Sequence, residues 1–147
     1  MNSSLTTLTR IKPVEQASAV PLRCNGGGVE VCLITSMGRG RWIFPKGVVD
    51  PGETHVVTAQ KEALEEAGIT GRLLDPPLGQ YRDSKWDVPL LVTVFAMSVE
   101  TVYDTWLEET LRRRRWTNVE DARELITDPT LREMLELAIR RFSENGD

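Results

Sequence analysis

Histidine is scarce in this chain: of 147 residues only His55 is one. There are two cysteines, Cys24 and Cys32, and aromatics make up 6%. One histidine and no Cys-x-x-Cys pair exclude a zinc site of the usual Cys/His kind and a disulfide framework. Reduced thiols in a cytoplasmic setting are expected. No apolar run approaches the roughly 20 residues that a membrane span needs. The first residues lack a signal-peptide core, so export is not expected either. A net charge of −4 and a pI near 5.1 leave no basic excess for a membrane surface or a long nucleic acid. There is no internal repeat and no low-complexity segment.

What remains is enough for one domain with a core, and too little for two. Residues 1 to about 16 are mostly polar without a period and read as a flexible tail; the domain then occupies 17–147. The segments "ASAVPLRC" and "GGGVEVCLITS" read as strands with a glycine turn between them, and "RWIF" as a short strand. A helix is predicted over His55–Ala67, with Thr54 as N-cap and Gly68 just past its end. Its apolar stripe is read as Val56, Ala59, Ala63, Leu64 and Ala67, with Glu62, Glu65 and Glu66 on the opposite side. "GRLLDPPLGQYRD" is a strand interrupted by Pro-Pro. "VPLLVTVFAMSV" is apolar throughout and β-branched, as a strand buried on both faces would be. "TVYDTWLEET" reads as a polar loop and "LRRRRWT" as a strand. A short helix follows, capped by Asn118. A last one starts near Pro129 behind Asp128, with Leu131, Met134 or Leu135, Ala138 and Phe142 on one stripe. Strands mixed with three helices imply an α/β fold with the sheet between helix layers.

One stretch carries chemistry, "PKGVVDPGETHVVTAQKEALEEAGITG" at 45–71. Like charges three and four residues apart on a helix repel. Three carboxylates there make a cluster of hard oxygen donors suited to Mg²⁺ or Mn²⁺, and a bound cation removes the repulsion. Gly47 lets the preceding loop come close and offer a carbonyl. Such a site can polarise a phosphoryl oxygen and acidify a water, and one glutamate can take the proton.

The spacing resembles the Nudix box, Gly-x5-Glu-x7-Arg-Glu-U-x-Glu-Glu-x-Gly-U, where U is a bulky aliphatic. Gly47, Glu53, Glu62, Glu65, Glu66 and Gly68 all match, a coincidence expected on the order of once in ten million placements. Lys61 stands where the family has arginine, and Ala63 is smaller than usual. Lysine keeps the charge but loses the bidentate fork, so weaker orientation of the glutamates is expected. The resemblance implies a Nudix fold, an α/β/α sandwich with a mixed sheet. It also implies metal-dependent hydrolysis of a nucleoside diphosphate linked to another group. It implies Glu62, Glu65 and Glu66 as metal ligands, Glu66 or Glu65 as general base, Glu53 supporting or sharing the metal site, and Gly47 offering its carbonyl.

The flanks "QASAVPLR", "GRGRWIFPKG" and "RRRRWTNVEDARELI" look like the branch of diadenosine polyphosphate and diphosphoinositol polyphosphate hydrolases. That branch implies basic side chains for an anionic chain, and Arg39, Arg41, Lys46 and Arg23 are the candidates. In the run Arg112–Arg115, alternate residues face opposite ways on a strand. A solvated role is expected for most of them. Glu108 and Glu109 are candidates for a base delivered from a loop. Trp42, Trp86 and Trp116 read as packing residues and His55 as a surface residue. Two other readings stay open at this stage, pyrophosphate removal from an RNA 5′ end and a Nudix-shaped nucleotide sensor without turnover. A monomer and a homodimer are equally compatible with the sequence.

Overall fold

The apolar run after residue 88 becomes the middle of a sheet, and both of its faces are covered. The computed structural model describes residues 12–145. In chain order the elements are β1 (Val14–Asn25), β2 (Gly28–Thr35), β3 (Trp42–Ile43), β4 (Lys46–Val48), α1 (His55–Ala67), β5 (Ile69–Lys85), β6 (Val88–Val102), β7 (Arg114–Asn118), α2 (Val119–Leu125) and α3 (Pro129–Glu144). The strands form one seven-stranded sheet. β1 and β6 run parallel, while every other pairing is antiparallel, so the sheet is mixed.

Side chains alternate along the central strands with period two. Val92, Val94 and Ala96 of β6, with Val20 and Leu22 of β1, face a core shared with Leu131, Leu135, Ala138 and Phe142 of α3. Phe95 and Met97, with Ala17 and Ala19, face a second core shared with Ala59, Ala63 and Ala67 of α1. The result is the expected α/β/α sandwich. Met134 and Leu135 are both buried on the α3 stripe.

Several expectations are corrected in detail. β1 begins at Val14, inside the stretch read as a tail; residues 1–11 of that tail lie outside the described residues. β6 runs on to Val102, through the start of the segment read as a loop. The Pro-Pro interruption expected in β5 is there, as the register shift between Leu74 and Gly79. Trp86 is 88% exposed at the β5–β6 turn, not packed. The two-residue turn there requires positive φ, and Trp86 and Asp87 adopt it at 54° and 61°.

The stripe on α1 is also corrected. Val56 and Leu64 are exposed, and the buried residues are Thr58, Ala59, Ala63, Glu66 and Ala67. Glu66 lies seven residues past Ala59, close to two full turns, so it shares that face. Alanines at every fourth position let the helix settle closely against Ala17 and Ala19, which leaves bulky Val56 and Leu64 at its flanks.

Candidate active site

The box helix is fixed at both ends. Thr54 Oγ1 accepts from Val57 N at 3.1 Å, and Gly68 turns the chain into the left-handed region at φ 66°. Arg114 Nη1 donates to the carbonyls of Ala67 at 2.9 Å and Tyr103 at 2.8 Å, and its guanidinium stacks over Trp106. At the other side of the site, β4 pairs with β1, Gly47 opposite Ala17. The loop that carries Gly47 is therefore part of the sheet.

These anchors bring Glu62 and Glu66 into one cleft of about 450 Å³ with Gly47, Lys46 and Arg112. Glu66 is buried. Its Oε1 accepts from Lys46 N at 3.1 Å, and its Oε2 pairs with Arg112 Nη2 at 3.3 Å. Burial pushes its carboxyl up to about 8, against the pull of Arg112 and of the Lys46 amide, and Glu62 and Glu108 push it further. Glu62 is within hydrogen-bonding reach of Glu66. Burial and then Glu65 raise it above the usual carboxylate range. Two acidic groups held this close repel when both are ionised, and a nearby positive charge relieves that repulsion.

Gly47 is required by this packing. A side-chain carbon there would meet Glu62 Oε1 at 2.5 Å. Gly47→Ala should therefore turn Glu62 away from Glu66 and weaken Mg²⁺ or Mn²⁺ binding about 10- to 100-fold, measured by titration calorimetry. An unchanged affinity would mean that Glu62 does not ligate.

Glu53 has a different part. Lys61 Nζ reaches both of its oxygens, at 3.0 and 2.9 Å, and Thr58 Oγ1 donates to one of them at 3.0 Å. Lys61 also pairs with Asp50 at 3.3 Å. Glu53, expected to support or share the metal site, has its carboxylate turned to the lysine and does not line the cleft that holds Glu62 and Glu66. The lysine that replaces the family arginine still grips both carboxylate oxygens.

Arg112 is the residue that sequence reasoning undervalued. It donates to Glu66, to Glu108 Oε1 at 2.8 Å and to the Thr35 carbonyl at 3.0 Å. The alternation expected of the basic run holds: Arg113 and Arg115 are exposed, while Arg112 and Arg114 turn inward and are engaged. A solvated role does not fit either of those two. The signal was the run's position beside the acidic loop, since a buried carboxylate on α1 needs a cation from another element. Glu108 sits at the rim, its backbone N–H bound to the Glu65 carbonyl and its carboxylate to Arg112; Glu109 is exposed.

A second cleft of about 440 Å³ adjoins the first, sharing Ser36, Gly38, Ile43, Lys46 and Asp83 with it. Arg39, Arg41 and Arg82 line it beside Trp42 and Tyr81. The structure thus brings Arg39, Arg41 and Lys46 together, and Arg82 joins them without having been foreseen. Lys46 pairs with Asp83 at 3.1 Å where the two clefts meet. Arg23 lies elsewhere. It stacks on Trp116 at 3.6 Å and pairs with Glu30 at 3.0 Å. It is six residues along β1 from Ala17, roughly 20 Å from the box. Glu65 faces a groove with Leu64, Tyr103 and Trp106. His55 pairs with Glu15 at the surface.

Among the described residues, no three acidic, histidine or cysteine side chains converge as a finished metal centre. Mg²⁺ needs only one or two carboxylates, with water and substrate phosphates completing its shell. Glu62 and Glu66, side by side in the cleft next to Gly47, fit that requirement.

The Nudix domain profile matches residues 13–138. The chain belongs to the Nudix family. Nudix hydrolase 13, mitochondrial, of Arabidopsis thaliana is 34% identical over 128 residues, covering 80% of this chain and 63% of that protein. Diphosphoinositol polyphosphate phosphohydrolase 3-beta of Bos taurus is 33% identical over 96 residues, covering 63% of this chain and 57% of its own. This Nudix chain thus spans less than two thirds of these relatives. The crystal structure of C. elegans Ap4A hydrolase superposes with a TM-score of 0.72 at 27% identity, covering 92% of this chain and 100% of that one. The Nudix domain of Shewanella oneidensis NrtR, solved with ADP ribose, reaches 0.73 at 13% identity and shares the Nudix fold alone.

Proposed function

We propose that this Nudix domain hydrolyses a phosphoanhydride bond in a nucleoside diphosphate linked to another group, with a dinucleoside polyphosphate or a diphosphoinositol polyphosphate as substrate. One observation carries the reading: Glu62 and Glu66 share a cleft that opens onto a second one lined by Arg39, Arg41 and Arg82. Carboxylates at one end suit a divalent cation. Arginines at the other suit the remaining phosphates, since a guanidinium fork holds two oxygens.

Glu62 and Glu66 would hold Mg²⁺ or Mn²⁺, with the Gly47 carbonyl as a further oxygen donor; Glu65, which faces a neighbouring groove, would join them only by turning its side chain. When bound, such a cation would supply Lewis acidity, polarising a phosphoryl oxygen and acidifying water. In the reaction the water oxygen bonds to phosphorus and the bridging P–O bond breaks. The leaving phosphate keeps the electron pair, and a carboxylate takes the water's proton. Glu66 suits that role better than Glu65, because it lines the cleft and Glu65 does not. Arg112 holds Glu66 in place, and Lys61 holds Glu53. The cytoplasmic setting is part of the proposal and rests on the two free thiols, Cys24 and Cys32.

The test is a panel of diadenosine tetraphosphate, a diphosphoinositol polyphosphate and 5′-triphosphorylated RNA with Mg²⁺ or Mn²⁺, products being identified by mass spectrometry. Metal-dependent cleavage of one of the first two is expected. Preference for the RNA end would replace the substrate assignment. Nucleotide binding with no phosphate release across the panel would make the domain a sensor.

A further inference from the structure

Gln16 lies on β1 opposite Val48 of β4, and only 8% of its surface is exposed. It lines the same cleft as Glu62, Glu66, Lys46 and Arg112. Among the described residues, no donor reaches its side-chain Oε1. Buried polar atoms are nearly always paired, and the partner of this one lies outside the described residues; an atom lining an open cleft can take it from water or ligand. Ser18, two residues along the same face of β1, shows the contrast: its hydroxyl donates to the Pro45 carbonyl at 2.8 Å. The other buried side-chain atoms in this condition are the indole nitrogens of Trp106 and Trp116, and neither residue lines this cleft.

The chemistry of the atom narrows what can meet it. An amide oxygen only accepts hydrogen bonds. The oxygens of an ionised phosphate also only accept, so they cannot satisfy it; water can. The amide nitrogen does the reverse and can donate to a phosphate oxygen. The terminal torsion of glutamine is broad and shallow, so the group can turn either end towards the cleft.

We propose that Gln16 is a further substrate-contact residue, whose Oε1 accepts from the water that attacks phosphorus while Nε2–H donates to a phosphate oxygen. This rests on the hydrolytic reading above. It gives the site a neutral group that touches both reacting partners, alongside the charged ones. It also accounts for an amide kept buried in a position where an apolar side chain would pack without an unpaired atom.

Gln16→Met keeps length and volume but removes both polar atoms. The metal-free variant should melt at the wild-type temperature or about 2–4 °C above it, because the unpaired oxygen is gone. Its kcat should fall about 10- to 100-fold. Its Kd for a methylene-bridged, uncleavable dinucleoside polyphosphate should rise about 3- to 10-fold by calorimetry. Gln16→Asn, which keeps an amide one carbon short, should lower kcat in the same direction and keeps the test open if the methionine variant does not fold. A melting temperature well below wild type for both variants would make Gln16 structural and overturn the proposal. So would unchanged kcat and Kd. A wild-type protein that binds the analogue but cleaves nothing would sink the hydrolytic reading instead, and the Kd and melting comparisons would still decide whether Gln16 touches phosphate.

Discussion

Glu66→Gln is expected to lower kcat by about 10³-fold, the upper-middle range for losing a positioned acid–base group. The fold should survive. The amide still accepts from Lys46 N, and Arg112 keeps its bonds to Glu108 and to the Thr35 carbonyl. A second signature separates chemistry from damage. In the metal-free protein, folding raises the Glu66 carboxyl from 4.5 to about 8, chiefly by burial. Between those values the folded state holds a proton that the unfolded state has released, so stability falls as pH rises. The contribution is complete below about pH 4.5 and is lost as pH climbs through about 8. Glutamine mimics the protonated form, so the variant should lack this slope. Melting temperatures from pH 5 to 8, without metal, read it directly. Saturating Mg²⁺ should expel the proton and flatten the wild-type curve. Parallel curves for the two proteins would show that Glu66 is not the titrating group.

Arg112→Met should be the most destabilising single change at the site. Both partners are buried, with side chains 10% exposed for Arg112 and 8% for Glu66. Removing a charged donor that serves several such acceptors costs about 3 kcal/mol, which lowers the melting temperature of a domain this size by roughly 6–12 °C. Three acceptors on three different segments lose their common donor at once, those of Glu66, Glu108 and Thr35. Arg112→Lys should recover only part of the loss, since one ammonium lacks the planar fork that spans them. Without the guanidinium the Glu66 carboxyl should move still higher, so more Mg²⁺ is needed at neutral pH. Thermal denaturation with and without metal tests both statements. A methionine variant as stable as wild type would show that the pair carries no net stabilisation.

The box itself was legible because its signal is local. Six spaced residues, a Thr54 cap and a Gly68 terminator all act within one helix and its loop, and the structure keeps those bounds. The side of α1 that Glu66 occupies was misjudged because its charge outweighed its place in the helical period. Arg112 and Gln16 were out of reach for another reason. Glu66 and Arg112 lie 46 residues apart, and Gln16 meets the box loop only through the β1–β4 pairing. Contacts of that kind are set by sheet order, which periodicity does not encode. Arg23 misled in the opposite sense. A cation in an apolar strand signals a partner, but the partners were Glu30 and Trp116 at the far end of β1.

Three alanines, Ala59, Ala63 and Ala67, form the apolar row by which the box helix packs on the sheet's inner face, and each is fully buried. Anyone retargeting this scaffold to a new ligand inherits a division of labour from that row. Enlarging one of the three would jack the helix outward and spoil every position on it together. The turn that carries Arg39 and Arg41 stands clear of that wedge, so libraries aimed at new specificity belong there.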